Sequence, residues 1–221
     1  PEGAGPRLLL VGHAGPRAFY GRSGVYDDPE TGAAYGDNAE RFLFFARAAL
    51  EGLKPLGERF DILHAHDHQA AWAPCFVRTH DALAPAFGGM ATLFTLHNLA
   101  YQGLYDPWVL ALAGFAPDRF FPGAIFEFWG RVSFMKVGIA FADLITTVSP
   151  RHAREIQSDG EFGFGLEGLL ASRSADLHGV LNGIVERPKT GEKHRFHWTD
   201  ALVGLIASLA KKPTRSGGGQ P

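Results

Sequence analysis

Short apolar runs alternate along the chain with longer stretches in which apolar residues recur every three or four positions. Residues 7–13 (RLLLVGH), 61–66 (DILHAH), 90–96 (MATLFTL) and 143–148 (DLITTV) read as buried strands, and residues 179–181 as a last short one. Between them, Asp37 and Glu40 have capping-box spacing and predict a helix start. Phe42, Phe45, Ala46, Ala49 and Leu53 then form one apolar helical face. Residues 69–81 predict a second helix, with Pro74 as a kink or a late first turn, and residues 126–142 a third, rich in aromatics. Ser149 followed by Pro150 predicts a capped helix through residue 157. Residues 15–36 and 160–165 are Gly-rich loops, and a short helix covers residues 166–172. The order strand, helix, strand, helix, strand predicts an α/β fold with a parallel sheet and helices on both faces. Ligands of such sheets sit beyond the carboxyl ends of the strands, where this chain places its polar motifs.

Composition narrows the picture. The 221 residues are 46% hydrophobic with 18 Phe, enough for an aromatic core. A formal net charge of −2, with no basic block, points away from nucleic acid and anionic membrane surfaces. No apolar run reaches the ~20 residues that span a bilayer. The start, Pro-Glu-Gly-Ala-Gly-Pro, is unlike a signal peptide. A single cysteine, Cys75, forms no internal disulfide and fits a cytoplasmic, reducing compartment. Set mid-helix among apolar neighbours, it reads as an inert buried thiol. Residues 216–221 read as disordered.

Four polar clusters are candidates for chemistry. His64-Ala65-His66-Asp67-His68 closes one strand and offers three imidazoles and a carboxylate; a metal-dependent hydrolase is one reading, and an organic-ligand site is favoured over it. His97-Asn98 closes the next strand, and both side chains donate and accept hydrogen bonds, as sugar hydroxyls require. Thr146 to Pro150 carries mostly structural weight as a strand followed by a helix cap. Asn182-Gly183 is a turn signal. Gly163-Phe164-Gly165 lacks the spacing of a dinucleotide fingerprint, and no G-x-S-x-G elbow is present.

Six segments in order resemble glycosyltransferase family 5, the bacterial glycogen synthases and plant starch synthases. They are YGDNAERF (35–42), DILHAHD (61–67), TLHNLAYQG (95–103), TTVSP (146–150), GLEGLL (165–170) and VLNG (180–183). The resemblance covers roughly residues 7–184 and implies an incomplete, Rossmann-like N-terminal domain of a GT-B glycosyltransferase, with residues 185–221 as a divergent tail. It implies transfer of glucose, with retention, from ADP-glucose to the non-reducing end of an α-1,4-glucan, with no metal or cofactor. It assigns His97 and Asp67 to the reacting centre, and Asn98, Asn182 and Tyr26 to substrate binding. A carboxylate and oriented dipoles suit an oxocarbenium-like transition state.

The chain also departs from that pattern. The family's Lys-x-Gly-Gly-Leu phosphate loop has no counterpart, since the first lysine is Lys54, and no Glu-Pro-Cys-Gly segment is found. The first βα units and the second domain are therefore expected to be missing. The loss of resemblance after Ile184 suggests an interrupted or frameshifted gene. The expectations that follow are an exposed sheet edge with marginal stability, no glucosyl transfer by this polypeptide alone, and a separate chain as a possible source of the second domain. A non-catalytic glucan-binding module is the further alternative.

Overall fold

The computed structural model describes residues 7–13, 19–158 and 160–181, and the backbone of 183–186 and 193–196. Four parallel strands form its main sheet: β1 (Ile62–His66), β2 (Ala91–Leu96), β5 (Leu144–Thr147) and β6 (Leu177–Gly179), in the order β1-β2-β5-β6. The parallel sheet and α/β class expected from the alternating pattern are present. Two short antiparallel pairs accompany it: β3 (Leu104–Tyr105) with β4 (Val132–Ser133), and β7 (Gly183–Glu186) with β8 (Lys193–Phe196).

Helices make the crossovers that parallel pairing requires. Between β1 and β2 run α2 (Asp67–Ala70), α3 (Trp72–Thr79) and α4 (Ala84–Phe87); between β2 and β5 run α5 (Val109–Leu112) and α6 (Phe134–Phe141). The helices α7 (Pro150–Ser158), α8 (Gly160–Gly163) and α9 (Glu167–Ser172) lead from β5 to β6, and α1 (Asn38–Leu53) precedes the sheet. Every residue of β2 and β5 is buried, as strands covered on both faces must be. The core is aromatic. Trp72 lies parallel to Phe126 at 5.8 Å and meets Phe134 edge-on at 5.4 Å. The helix α6 approaches β2 so closely that a Cβ on Gly138 would sit 2.5 Å from the Phe94 ring.

Ser149 caps α7 as the sequence predicts, accepting the His152 N–H at 3.0 Å with Pro150 as the first helical residue. Other expectations are corrected. Residues 7–13 form no strand: Leu8 and Leu10 are 83% and 85% exposed. A strand is defined by its partner, and none among the described residues pairs with this run or with the outer side of β1. The capping box at Asp37 does not form, because both carboxylate oxygens are taken by the guanidinium fork of Arg22 at 2.7 and 2.6 Å. Along α1, Phe42, Leu43, Ala46 and Leu50 are buried, whereas Phe45 is 37% exposed.

The predicted helix over 126–142 shrinks to Phe134–Phe141. Trp129 and Gly130 both adopt positive φ, 50° and 78°. A right-handed helix excludes that conformation. Glu127 holds this turn by accepting the Gly123 and Gly130 N–H groups. Ser133 caps the shortened α6. At its other end, Arg173 donates to the Ile139 carbonyl at 2.6 Å and to the Ala142 carbonyl at 2.7 Å. These are groups that a helix terminus leaves open. Finally, residues 160–165 are not loop throughout: Gly160–Gly163 make one helical turn before Phe164 and Gly165 reverse the chain at φ 50° and 84°. The readings of residues 1–6 and 216–221 lie outside the described residues.

Candidate functional site

The ends of β1, β2 and β5 carry a continuous set of polar side chains. Parallel register places His66 beside Thr95 and Thr95 beside Thr146. On this frame the His64 Nε2 lies 2.7 Å from the Thr95 hydroxyl, which lies 2.6 Å from the Thr146 hydroxyl. Next to Thr146, the Thr147 hydroxyl donates to the Leu96 carbonyl at 2.9 Å. All three threonines are buried, so their hydroxyls need these partners.

One step further out, the chain turns sharply at Asp67, which sits at φ 52°. Asp tolerates this left-handed conformation better than most residues. Its Oδ1 accepts the His97 backbone N–H at 2.8 Å, tying the end of β1 to the end of β2. The His66 Nδ1 lies 3.1 Å from the His97 Nε2, with the two rings nearly parallel. Asn98 turns its Oδ1 back to the Ala100 N–H at 3.0 Å, a side-chain-closed turn in which its amide hydrogens have no partner among the described residues. His97 and Asn98 are both exposed.

Burial disfavours the charged form of His64, His66 and His68. Partial burial pushes His64 down to about 4, and the neighbouring His66 and His97 add to the effect. His66 is lowered too, by loss of surrounding water and then by His97, with Asp67 opposing. His68, buried, is lowered by desolvation.

Of the residues singled out from sequence, the structure brings Asp67, His97 and Asn98 together, with His64 and His66 behind them. Tyr26 approaches another side chain: its ring, 47% exposed, lies 6.2 Å from His68 and 6.3 Å from Phe42. Asn182 lies outside the described residues. The His cluster is divided, since His68 leaves the strand face and packs edge-on against Phe42 at 5.4 Å. Gly103, at φ 61°, closes over it; a Cβ there would sit 2.7 Å from the His68 ring. The metal-dependent hydrolase is not favoured on this geometry. Among the described residues no three His, Cys, Asp or Glu side chains are grouped to hold a metal ion. The Cys75 thiol is buried and pushed up to about 12, in keeping with an inert role.

Two further residues contribute to the site with no local signal of that role in the sequence. Arg41 is buried and donates to the Phe19 and Val25 carbonyls and to Asn38 Oδ1, fastening the segment that carries Tyr26 to α1. Gln102, also buried, accepts from Ser133 Oγ and donates to the Phe164 carbonyl, which anchors the loop after His97. Both lie inside segments that read as motifs, but most of their partners are far away in sequence.

Residues 7–172 match the family described as the starch synthase catalytic domain. The chain is 43% identical over 166 residues to a glycogen synthase of Pseudothermotoga lettingae, covering 75% of this chain and 32% of that protein. It is 49% identical over 169 residues to a glycogen synthase of Anaeromyxobacter dehalogenans, covering 76% and 35%. Among solved structures it resembles the catalytic domain of starch synthase IV from Arabidopsis thaliana, bound to ADP and acarbose. The TM-score is 0.67 and the identity 32%, over 77% of this chain and 33% of that one. The chain thus spans about a third of the length of these relatives. None of its described helices is long and apolar enough to cross a membrane. This chain belongs to the starch synthase catalytic-domain family of glycosyltransferases.

Proposed function

We propose that the ends of β1 and β2 form the sugar-facing wall of an α-1,4-glucan glucosyltransferase site, transferring glucose with retention from ADP-glucose to the non-reducing end of the glucan. The observation that carries this reading is the Asp67–His97 link. A carboxylate in a left-handed turn clamps the backbone of an exposed His-Asn pair. Glycosyl transfer needs such an assembly: groups that bind hydroxyls to hold the ring, and a fixed carboxylate and dipoles near a carbon that becomes positively charged.

In this proposal His97 and Asn98 bind the transferred glucose. The free Asp67 oxygen stabilises charge at the reacting centre, and Tyr26 and Asn182 border the substrate. The lowered basicity of His64 and His66 suits this wall, because an imidazolium would oppose an oxocarbenium-like sugar. No covalent nucleophile, metal ion or cofactor is assigned, and ADP-glucose enters as a substrate. The opposite wall of the cleft belongs to the second domain of a GT-B pair. The Arabidopsis structure, bound to ADP and acarbose, supports a nucleotide and glucan-like pair of ligands.

Calorimetric titration of the chain with maltoheptaose and with ADP-glucose tests the reading. Saturable oligosaccharide binding is expected, weakened at least tenfold, about 1.4 kcal/mol, in Asn98→Ala. No saturable binding of either ligand, or oligosaccharide binding untouched by Asn98→Ala, would sink it.

A further inference from the structure

His66 has no role in the proposed chemistry, yet it reaches the His97 ring directly: its Nδ1 lies 3.1 Å from the His97 Nε2. The two rings are 25° from parallel with centroids 5.3 Å apart. His66 is itself backed by His64, whose ring lies 4.1 Å away. That ring is anchored in turn through the Thr95 and Thr146 hydroxyls. The support therefore runs from the buried threonines of β2 and β5 through the partly buried His64 and the exposed His66 to the exposed His97.

A neutral imidazole has one N–H and one bare nitrogen, and the bond made by one nitrogen decides the state of the other. A contact between two ring nitrogens holds one proton: with none they repel as lone pairs, and with two they repel as N–H groups. We infer that His66 is a positioning residue that holds His97 to the tautomer complementary to its own, leaving His97 Nδ1 as the ring nitrogen open to a ligand. Whichever ring supplies the shared proton, the other His97 nitrogen is fixed as its complement. Outer-shell partners of this kind orient a site histidine and set its donor or acceptor character. The tautomer lock stands on the geometry of the two rings; its use toward a sugar hydroxyl rests on the function proposed above.

The test is nitrogen NMR of the 221-residue chain with 15N-labelled histidine at neutral pH. One His97 nitrogen is expected at the protonated position and one at the bare position. In His66→Phe, which keeps a ring against His64 but offers no nitrogen, the two signals are expected to collapse toward a common tautomeric average. His66→Asn, whose amide reaches the place of Nδ1, restores the separation. His66→Ala repeats the loss without a bulky ring, should the Phe variant not fold. An averaged His97 in the unaltered chain overturns the inference, as does a His97 pattern indifferent to His66→Phe and His66→Ala. Failure of maltoheptaose to bind a chain that shows the lock counts against the proposed function, and leaves the lock standing.

Discussion

The two ends of the same sheet are both stitched together by polar side chains, in opposite ways. At the amino ends of β2 and β5, Asp143 pairs with Arg78 of α3 and accepts from the Thr92 backbone N–H at 2.7 Å and its hydroxyl at 3.0 Å. Arg78 also donates to the Gly88 carbonyl, and the Thr92 hydroxyl accepts the Asp143 N–H. Both charges are largely buried, and each is answered by protein. At the carboxyl ends the links are made by imidazoles, hydroxyls and a half-buried carboxylate. Nitrogen, oxygen and amide groups of His97, Asp67 and Asn98 there retain bonding capacity that the described residues do not use. The closed network serves stability, while the open one is held in place and keeps bonding groups exposed.

The largest effect should come from breaking the closed end. Asp143→Ala leaves the Arg78 guanidinium buried without its counter-charge, and a loss of about 3–5 kcal/mol is expected in urea denaturation. A loss under about 1 kcal/mol would show that water reaches Arg78 freely.

At the open end, Gly103→Ala forces a Cβ into the His68 ring at a left-handed backbone position. About 1–3 kcal/mol should be lost in the same assay. Displacement of the loop that carries Asn98 should weaken maltoheptaose binding as well. An alanine variant as stable as the parent would mean that His68 has room to move.

Lower in magnitude is the pH response. His64 titrates at about 4 in the folded chain against 6.5 ordinarily, so between those values the unfolded chain binds more protons. Its contribution to stability is complete above pH 6.5 and is lost as the pH falls toward 4. His66 acts in the same direction. Urea midpoints measured across this window should fall with acidification, and less steeply in His64→Gln. An unchanged slope in that variant would remove His64 as the cause.

Smallest in stability, and sharpest for the comparison, is Asp67→Asn. Asparagine tolerates the left-handed turn and keeps an oxygen for the His97 N–H, so less than about 1 kcal/mol of stability should be lost. The removed charge should nonetheless abolish glucosyl transfer in an enzyme carrying this domain. Full transfer by the variant would relieve Asp67 of its proposed part.

Much of the frame was legible in the sequence because its signals are local. The largely apolar run of β2, the Leu144-Ile145 start of β5, the Ser149-Pro150 cap and the polar residues at strand ends are each specified within a few positions. The misread elements are those whose state is set elsewhere. Residues 7–13 carry a strand's composition but have no partner strand among the described residues. Asp37 has a cap's spacing but is claimed by Arg22. The aromatic stretch before α6 has helical spacing but contains two left-handed residues.

The site divides along the same line. By itself, the sequence determined that His64, His66 and Asp67 end one strand and that His97 and Asn98 follow another, since alternation and turn chemistry are short-range properties. Only the tertiary structure decided which of them meet. His66 joins His97 across 31 residues and Asp67 joins it across 30, while His68, next to Asp67 in the chain, goes to Tyr26 and Phe42. That choice follows from strand register, in which a slip of one residue exchanges the faces of a whole strand. Register is fixed by the buried β2 and β5 and the helices packed upon them, not by the histidines themselves.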